Sequence, residues 1–415
     1  SVASLPEYAS LFDAPLPSFA SLQNTPPDPL SPVKLRGLAG ASNAWAATPA
    51  RSAAGSTLLA NDPHLELTAP SIWYLARLEL ETGGVIGGTF PGAPVVLVGR
   101  SNQLGWGLTN SYADDQDVFI EKVNPDNSEQ ILTPEGWKTL QSRQSIININ
   151  DADPIQLTLR WSDNGPILEG NQFGLAAVTP AGHVASVAWT ALNDTDTSLQ
   201  ALLKIMRAQN VDEAVAAGED FVATAQNLTV VDRENAVMKV IGSLPRRAAR
   251  HQTQGRMPSP GWLPENRWQG TMTYAANPEF RPGDGGIVGN TNNKIIDRPF
   301  PLHVSFDWGD TQRVQRWQRL MQTREVHTRE SFIEAQLDTV SVTARTLLPL
   351  VARDLWFTGE AAAEGTIERQ RRRALDLLAE WNGEMNEHLP EPLIYAAWMR
   401  ALQERLIRDE IGPLS

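Results

Sequence analysis

Between residues 45 and 190 the chain repeats one arrangement: a short apolar run, then a breaker built from Gly, Pro, Asn or Asp. Runs this brief suit strands better than helices, so this stretch predicts β-structure. The predicted strands are residues 57–60, 85–86, 95–98, 104–112, 130–140, 144–149, 154–161, 175–179 and 183–190, with 71–80 open between strand and helix. Apolar residues spaced at the helical period predict helices over 197–207 and 211–217. The turn cluster Asp232-Arg233-Glu234-Asn235 lies between two apolar alternations and predicts a hairpin of 227–231 with 236–241. From residue 331 the pattern is helical, with Leu375, Leu378, Trp381, Ile394, Trp398 and Leu402 on core faces. The expected class is α+β.

Composition removes several functions. A net charge of −13 and a pI near 5.0 oppose binding to a phosphate backbone, so no nucleic-acid partner is expected. The absence of cysteine removes disulfides, thiol catalysis and thiolate metal sites. No apolar run approaches the roughly 20 residues that span a bilayer, and mean hydropathy is −0.28, so no membrane insertion is expected. With 415 residues, 41% of them hydrophobic, the chain is long enough for a large core. Its 13 Trp are scattered through strands and helices, which points to burial rather than to a sugar-binding stripe. Residues 1–41 carry Pro6, Pro15, Pro17, Pro26, Pro27, Pro29 and Pro32, a composition for an extended strip.

The chemistry concentrates after that strip. Ser42-Asn43-Ala44-Trp45 is followed, beyond a turn-rich gap, by Leu58-Leu59-Ala60-Asn61-Asp62-Pro63-His64-Leu65. A Ser-Asn pair alone is an ordinary turn. Together the two pieces resemble the start of the catalytic chain in the penicillin acylase family of N-terminal-nucleophile hydrolases. His64, 22 residues beyond Ser42, is similar to the cephalosporin, acyl-homoserine-lactone and lipopeptide acylase branch. The resemblance extends over residues 30–400 and implies a four-layer αββα sandwich. It divides the chain into a partner-chain tail and spacer (1–41), a catalytic sandwich domain (42–330) and a helical segment cut short at its end (331–415). The chain is then expected to be an internal fragment, missing most of its amino-terminal partner chain. Members of this family are exported, so a periplasmic or secreted location is implied.

The resemblance also implies an amidohydrolase for a linear acyl-amide. Ser42 would attack the carbonyl of Ala41, the resulting ester would hydrolyse, and the freed α-amine would serve as the serine's own base. A chain-end amine titrates near pH ~8, which makes it usable at neutral pH. His64 would orient the serine and offer a donor to the tetrahedral oxyanion. Asn110, at the end of Trp106-Gly107-Leu108-Thr109-Asn110, would supply a backbone N–H to the oxyanion hole. Asn292, within Gly289-Asn290-Thr291-Asn292-Asn293, would complete that hole through its side chain, and Arg313, 21 residues later, would orient the asparagine and the amine.

Asp114-Asp115-Gln116-Asp117 crowds three carboxylates into four residues, and hard oxygen donors of that kind suit Ca²⁺. The resemblance implies calcium held by Asp114, Asp117 and the carbonyls of Gln116 and Gly255. A solvated acidic loop is the plain alternative. The chain departs from the family in two places, with Leu302 where an aspartate ligand is expected and Ala41 where glycine precedes the serine. If the Ala41–Ser42 peptide stays intact, the chain is an inactive precursor-like form or a non-catalytic scaffold of the same fold.

Overall fold

The computed structural model describes residues 41–65, 69–81, 83–168, 172–283, 286–355 and 362–411. The proline-rich strip, apart from Ala41 at its end, lies outside the described residues. Two compact units result, dividing between Gly309 and Asp310. The second unit therefore begins 21 residues ahead of the helical pattern read from 331, because helices Gln312–Gln322 and Arg329–Gln336 cluster with those that follow.

Seven strands of the first unit carry the argument: β1 (Ala41–Ala47), β2 (Leu58–His64), β3 (Gly105–Asn110), β4 (Gln116–Asn124), β5 (Gln226–Val231), β6 (Ala236–Ile241) and β7 (Ile287–Asn290). Among the described residues β1 is the middle strand of a three-stranded antiparallel sheet between β7 and β2. A seven-stranded sheet holds β6, β5 and β3 side by side, followed by Val98–Arg100, Gly83–Thr89 and Tyr74–Leu80. The stretch left open between strand and helix is thus a strand. A third, eight-stranded sheet is built around β4 and His183–Trp189.

The predicted hairpin forms as β5 and β6, and all but Gln226 of its twelve strand residues are buried because both faces are covered. Leu228, Val230, Val237 and Ile241 point one way, into a core shared with Ala201, Ile205, Val211 and Ala214 of helices Ser198–Arg207 and Val211–Ala217. Val231, Ala236 and Met238 face the other way and pack on Ala46, Leu59 and Val288 of the small sheet. Burying a side chain of this size stabilises by about 1.5–3 kcal/mol, so the hairpin is the spine of the unit. Helix Val211–Ala217 starts at Asn210, whose side chain accepts from the Glu213 amide at 2.9 Å and caps the first turn.

Two local expectations give way to turn geometry. Residues 175–178 of the expected strand 175–179 fall in the 3₁₀ segment Gln172–Val178, which Phe173 at φ 55° and Gly174 at φ 71° turn away from an extended path. Val95 and Val96 are buried but lie ahead of the strand Val98–Arg100, since Pro91-Gly92-Ala93-Pro94 keeps the chain in turns up to that point. The second unit buries Ala344, Leu378 and Tyr395 against Trp381, Ile394 and Trp398, which bears out Leu378, Trp381, Ile394 and Trp398 as core residues, while Leu375 and Leu402 are half-buried. Among the described residues no helix is long and apolar enough to cross a membrane.

Candidate active site

Ser42 lies near the start of β1, opposite Pro63 of β2, and is 8% exposed. Alternation along a strand sends Ser42, Ala44 and Ala46 to one face. Ala46 belongs to the inter-sheet core, so Ser42 faces the same gap at its other end. There the lining changes from apolar to amide. The Ser42 backbone N–H donates to Asn292 Oδ1 at 2.7 Å, and Asn292 Nδ2 donates to the Asn110 carbonyl at 2.9 Å. Three residues separated by up to 250 positions are thereby joined through one side chain.

Asn292 holds this pose in a left-handed conformation, φ 61°, one that Asn adopts more readily than most residues. Its own amide donates to Asn290 Oδ1 at 2.8 Å, and its carbonyl accepts from Gly309 at 3.1 Å. Asn290 is fully buried, and its Oδ1 accepts two further donors, Thr109 Oγ1 at 3.0 Å and Asn227 Nδ2 at 3.1 Å. One neutral oxygen thus fastens the small sheet to β3 and β5 of the large one.

A second fastening lies alongside. Asn61 of β2 donates through Nδ2 to the Asn43 carbonyl at 2.8 Å and to the Leu108 carbonyl at 3.1 Å. The approach is close enough that a Cβ built on Gly107 would stand 2.7 Å from Asn61 Cβ, which explains glycine at that position. Asn61, half-buried, has the sheet-to-sheet role within its motif, and His64 does not. The imidazole of His64 is half-exposed and its Nε2 stands 2.8 Å from Asp62 Oδ2, which also accepts from Asn43 Nδ2 at 3.1 Å. In register His64 opposes Ala41, so the strand pleat sets it on the face opposite to that of Ser42.

Beside Asn110 opens a cavity of about 610 Å³, whose walls include Tyr112, Asp114, Asp115, Arg256 and Asp307. Burial raises the carboxyl of Asp115 above its ordinary range, an effect opposed by hydrogen bonds from the Ala225 backbone and Thr190. Arg313 stands in the first turn of helix Gln312–Gln322 in the second unit and is half-buried there.

The chain matches the penicillin amidase family over residues 4–415. It belongs to that family. Among related penicillin amidases is an acyl-homoserine lactone acylase, QuiP, of Pseudomonas fluorescens strain Pf0-1, 28% identical over 411 residues, 96% of this chain and 48% of that protein. Penicillin G acylase of Escherichia coli is 27% identical over 84% of this chain and 40% of its own length. The chain spans about half the length of the curated relatives it matches first, 45–48% of each. A solved structure of a thermostable penicillin G acylase from Alcaligenes faecalis superposes with a TM-score of 0.72 at 21% identity, covering 89% of this chain and 65% of that one. That likeness carries the fold, a mixed helix-and-sheet arrangement of the α+β class shared with penicillin G acylase, with which the expected N-terminal-nucleophile sandwich is consistent.

The donors expected to hold calcium in such a penicillin amidase are otherwise engaged. Asp117 is 4% exposed, and both of its oxygens accept from Arg247: Nε to Oδ2 at 2.8 Å and Nη2 to Oδ1 at 3.1 Å. Trp268 Nε1 also donates to Oδ2. Asp114 Oδ2 meets His303 Nε2 at 2.9 Å. Gln116 and Asp117 open β4 rather than a free loop, and among the described residues no group of three or more His, Asp or Glu is arranged to hold a metal. The set as built does not fit a dication, because a guanidinium fills the lone pairs that calcium would need.

The residues that sequence reasoning missed are those of the amide network and its ionic neighbour. Asn290 sits inside the asparagine cluster, two residues before Asn292, and Asn61 inside the motif of His64, so both were within reach. Asn227 begins the hairpin's polar end, where an amide interrupts an apolar alternation. Arg247 carries no local signal, since its partners lie 130 residues away.

Proposed function

We propose that this chain is the catalytic part of an amidohydrolase that frees an acyl group from a linear amide, with Ser42 as the nucleophile. One observation carries the reading: the Ser42 nitrogen is held by Asn292 Oδ1 at 2.7 Å, in a pocket of neutral amides that also includes the Asn110 carbonyl. Here that nitrogen belongs to a peptide bond, with Ala41 still in the strand and opposite His64. An amide nitrogen has no basic lone pair, so the precursor must cut before Ser42 can act. In that cut Ser42 Oγ adds to the Ala41 carbonyl, the C–N bond breaks to leave an ester, and water hydrolyses the ester to an Ala41 carboxylate and a Ser42 α-amine.

The liberated amine keeps Asn292 Oδ1 as its partner and takes the proton of Ser42 Oγ as the hydroxyl attacks the substrate carbonyl. Negative charge then develops on the carbonyl oxygen. Neutral amide donors from Asn292 and the Asn110 backbone stabilise it without a counter-charge that must first be desolvated. The C–N bond breaks, the departing amine carries the proton away, and water releases the acid from the serine ester. Arg313 keeps, by family resemblance alone, the role of a cation that disfavours protonation of the amine. His64, turned toward Asp62, is assigned to the rim of the site. The amino-terminal chain of the same precursor is the partner that completes the acyl pocket.

The relatives named as acyl-homoserine lactone acylase and as penicillin acylase support two substrate classes, acyl-homoserine lactones and acylated β-lactams. In the full-length protein, Ser42→Ala is expected to leave a single uncut chain by intact mass and to release no amine from either class. A variant that still hydrolyses acyl-amides overturns the assignment. A panel of acyl-amides of graded length, given to the native protein, selects between the classes.

A further inference from the structure

The acidic stretch that leads into β4 holds a second structural device, independent of the reading of Ser42. Arg247 is a cation with a side chain only 2% exposed, so its charge must be met on the spot. Asp117 meets it through two parallel hydrogen bonds, the fork-to-fork geometry that a guanidinium and a carboxylate share. Nη2 goes further, donating to the Asp114 carbonyl at 3.0 Å and standing 3.5 Å from Asp114 Oδ1. The cation therefore bridges both aspartates and one main-chain oxygen.

The surroundings are shaped to this cation. The Trp268 ring centroid lies 5.9 Å from the guanidinium carbon, and the indole N–H is given to the same carboxylate. His303 closes the other side by reaching Asp114 Oδ2. Gly255, at φ 79°, lets the chain pass so near that a Cβ there would stand 2.6 Å from Asp117 Oδ1 and 2.8 Å from Arg247 Nε. Each of these contacts uses lone pairs, or space, that a dication with six to eight oxygen ligands would require.

We propose that Arg247 is the resident counter-ion of this acidic stretch and replaces a metal ion there, so that the protein folds and works without calcium. A tethered guanidinium ties the start of β4 to the segments carrying Gly255, Trp268 and His303, the cross-linking that a bound dication would give. Being covalently part of the chain, it has no dissociation constant and is not removed by chelators.

Thermal unfolding of the full-length native protein in EDTA and in millimolar CaCl₂, with a calorimetric calcium titration, gives the first test. The midpoint is expected to agree within about 1 °C between the two buffers, with no saturable calcium heat. Saturable binding, or a calcium-dependent rise of several degrees, overturns the proposal. Arg247→Met strands a buried carboxylate and is expected to lower the midpoint by about 5–10 °C. Adding Asp117→Asn to Arg247→Met should recover at least half of that loss, because the charge left without a partner is gone. Additive losses would mean that Arg247 acts by packing alone, which sinks the idea. If the single variant fails to fold, the double variant and the native titration still decide it.

Discussion

The first unit contains two buried polar networks that solve the same problem by different means. Around Asn290 every group is neutral: an amide oxygen collects donors from Asn292, Thr109 and Asn227. Around Arg247 the groups are charged: a guanidinium meets Asp117 and Asp114. A neutral network can hold a nucleophile in register without placing a full charge beside the reacting carbonyl. A charged one joins distant segments more strongly, but its strength depends on the protonation of everything near it. Under the proposed function, the difference assigns the first to positioning and the second to cross-linking.

Breaking the neutral network at its centre should have the largest effect. Asn290→Leu keeps the bulk but leaves the Thr109 hydroxyl, the Asn227 amide and the Asn292 N–H without that acceptor. Each buried group stranded in this way costs about 1–3 kcal/mol, so a loss of about 3 kcal/mol or more is expected in urea unfolding. The same variant should lose maturation, read as failure to cut before Ser42. An unaltered midpoint would show that Asn290 is not the hub described.

A smaller effect is expected where the sheets touch at Gly107. Gly107→Ala forces a Cβ against Asn61, and overpacking of this kind costs about 1–3 kcal/mol. Thermal unfolding checks the stability, and the maturation rate checks whether Asn61 has moved.

The smallest effect separates the networks by pH. His251 is buried near Arg247, and burial holds its imidazole below the ordinary 6.5, with Arg247 acting in the same direction and Asp117 against it. A depressed folded-state value means that the contribution of this group is present above pH 6.5 and is lost as pH falls through the folded-state value. Native protein should therefore lose stability below that pH relative to His251→Asn, which keeps an acceptor and does not titrate. Denaturant midpoints at pH 7.5, 6.0 and 5.0 measure the gap, and equal slopes for the two proteins would refute it.

What could be read from sequence follows the range of each interaction. The hairpin of β5 and β6 was legible because alternation and a turn cluster are local, and Asn292 because its motif has a fixed order. Ser42 and Asn292 were paired by resemblance, not by any pattern linking residues 250 apart. The acidic stretch was legible as carboxylates in need of a cation. Which cation was not, since Arg247 reaches Asp117 only through the fold. His64 shows the reverse case: its motif was plain, yet one step of strand pleat turns its ring toward Asp62.

The hairpin that is covered on both sides has a consequence for the maturation proposed above. Its backbone amides are expected to be the last in the unit to take up deuterium, since water reaches them only through near-complete opening. Asn227 stands on that wall, which is already in place in the uncut chain. Processing at Ser42 would then release a strand end against a surface already set, and the mature enzyme would inherit its alignment from the precursor.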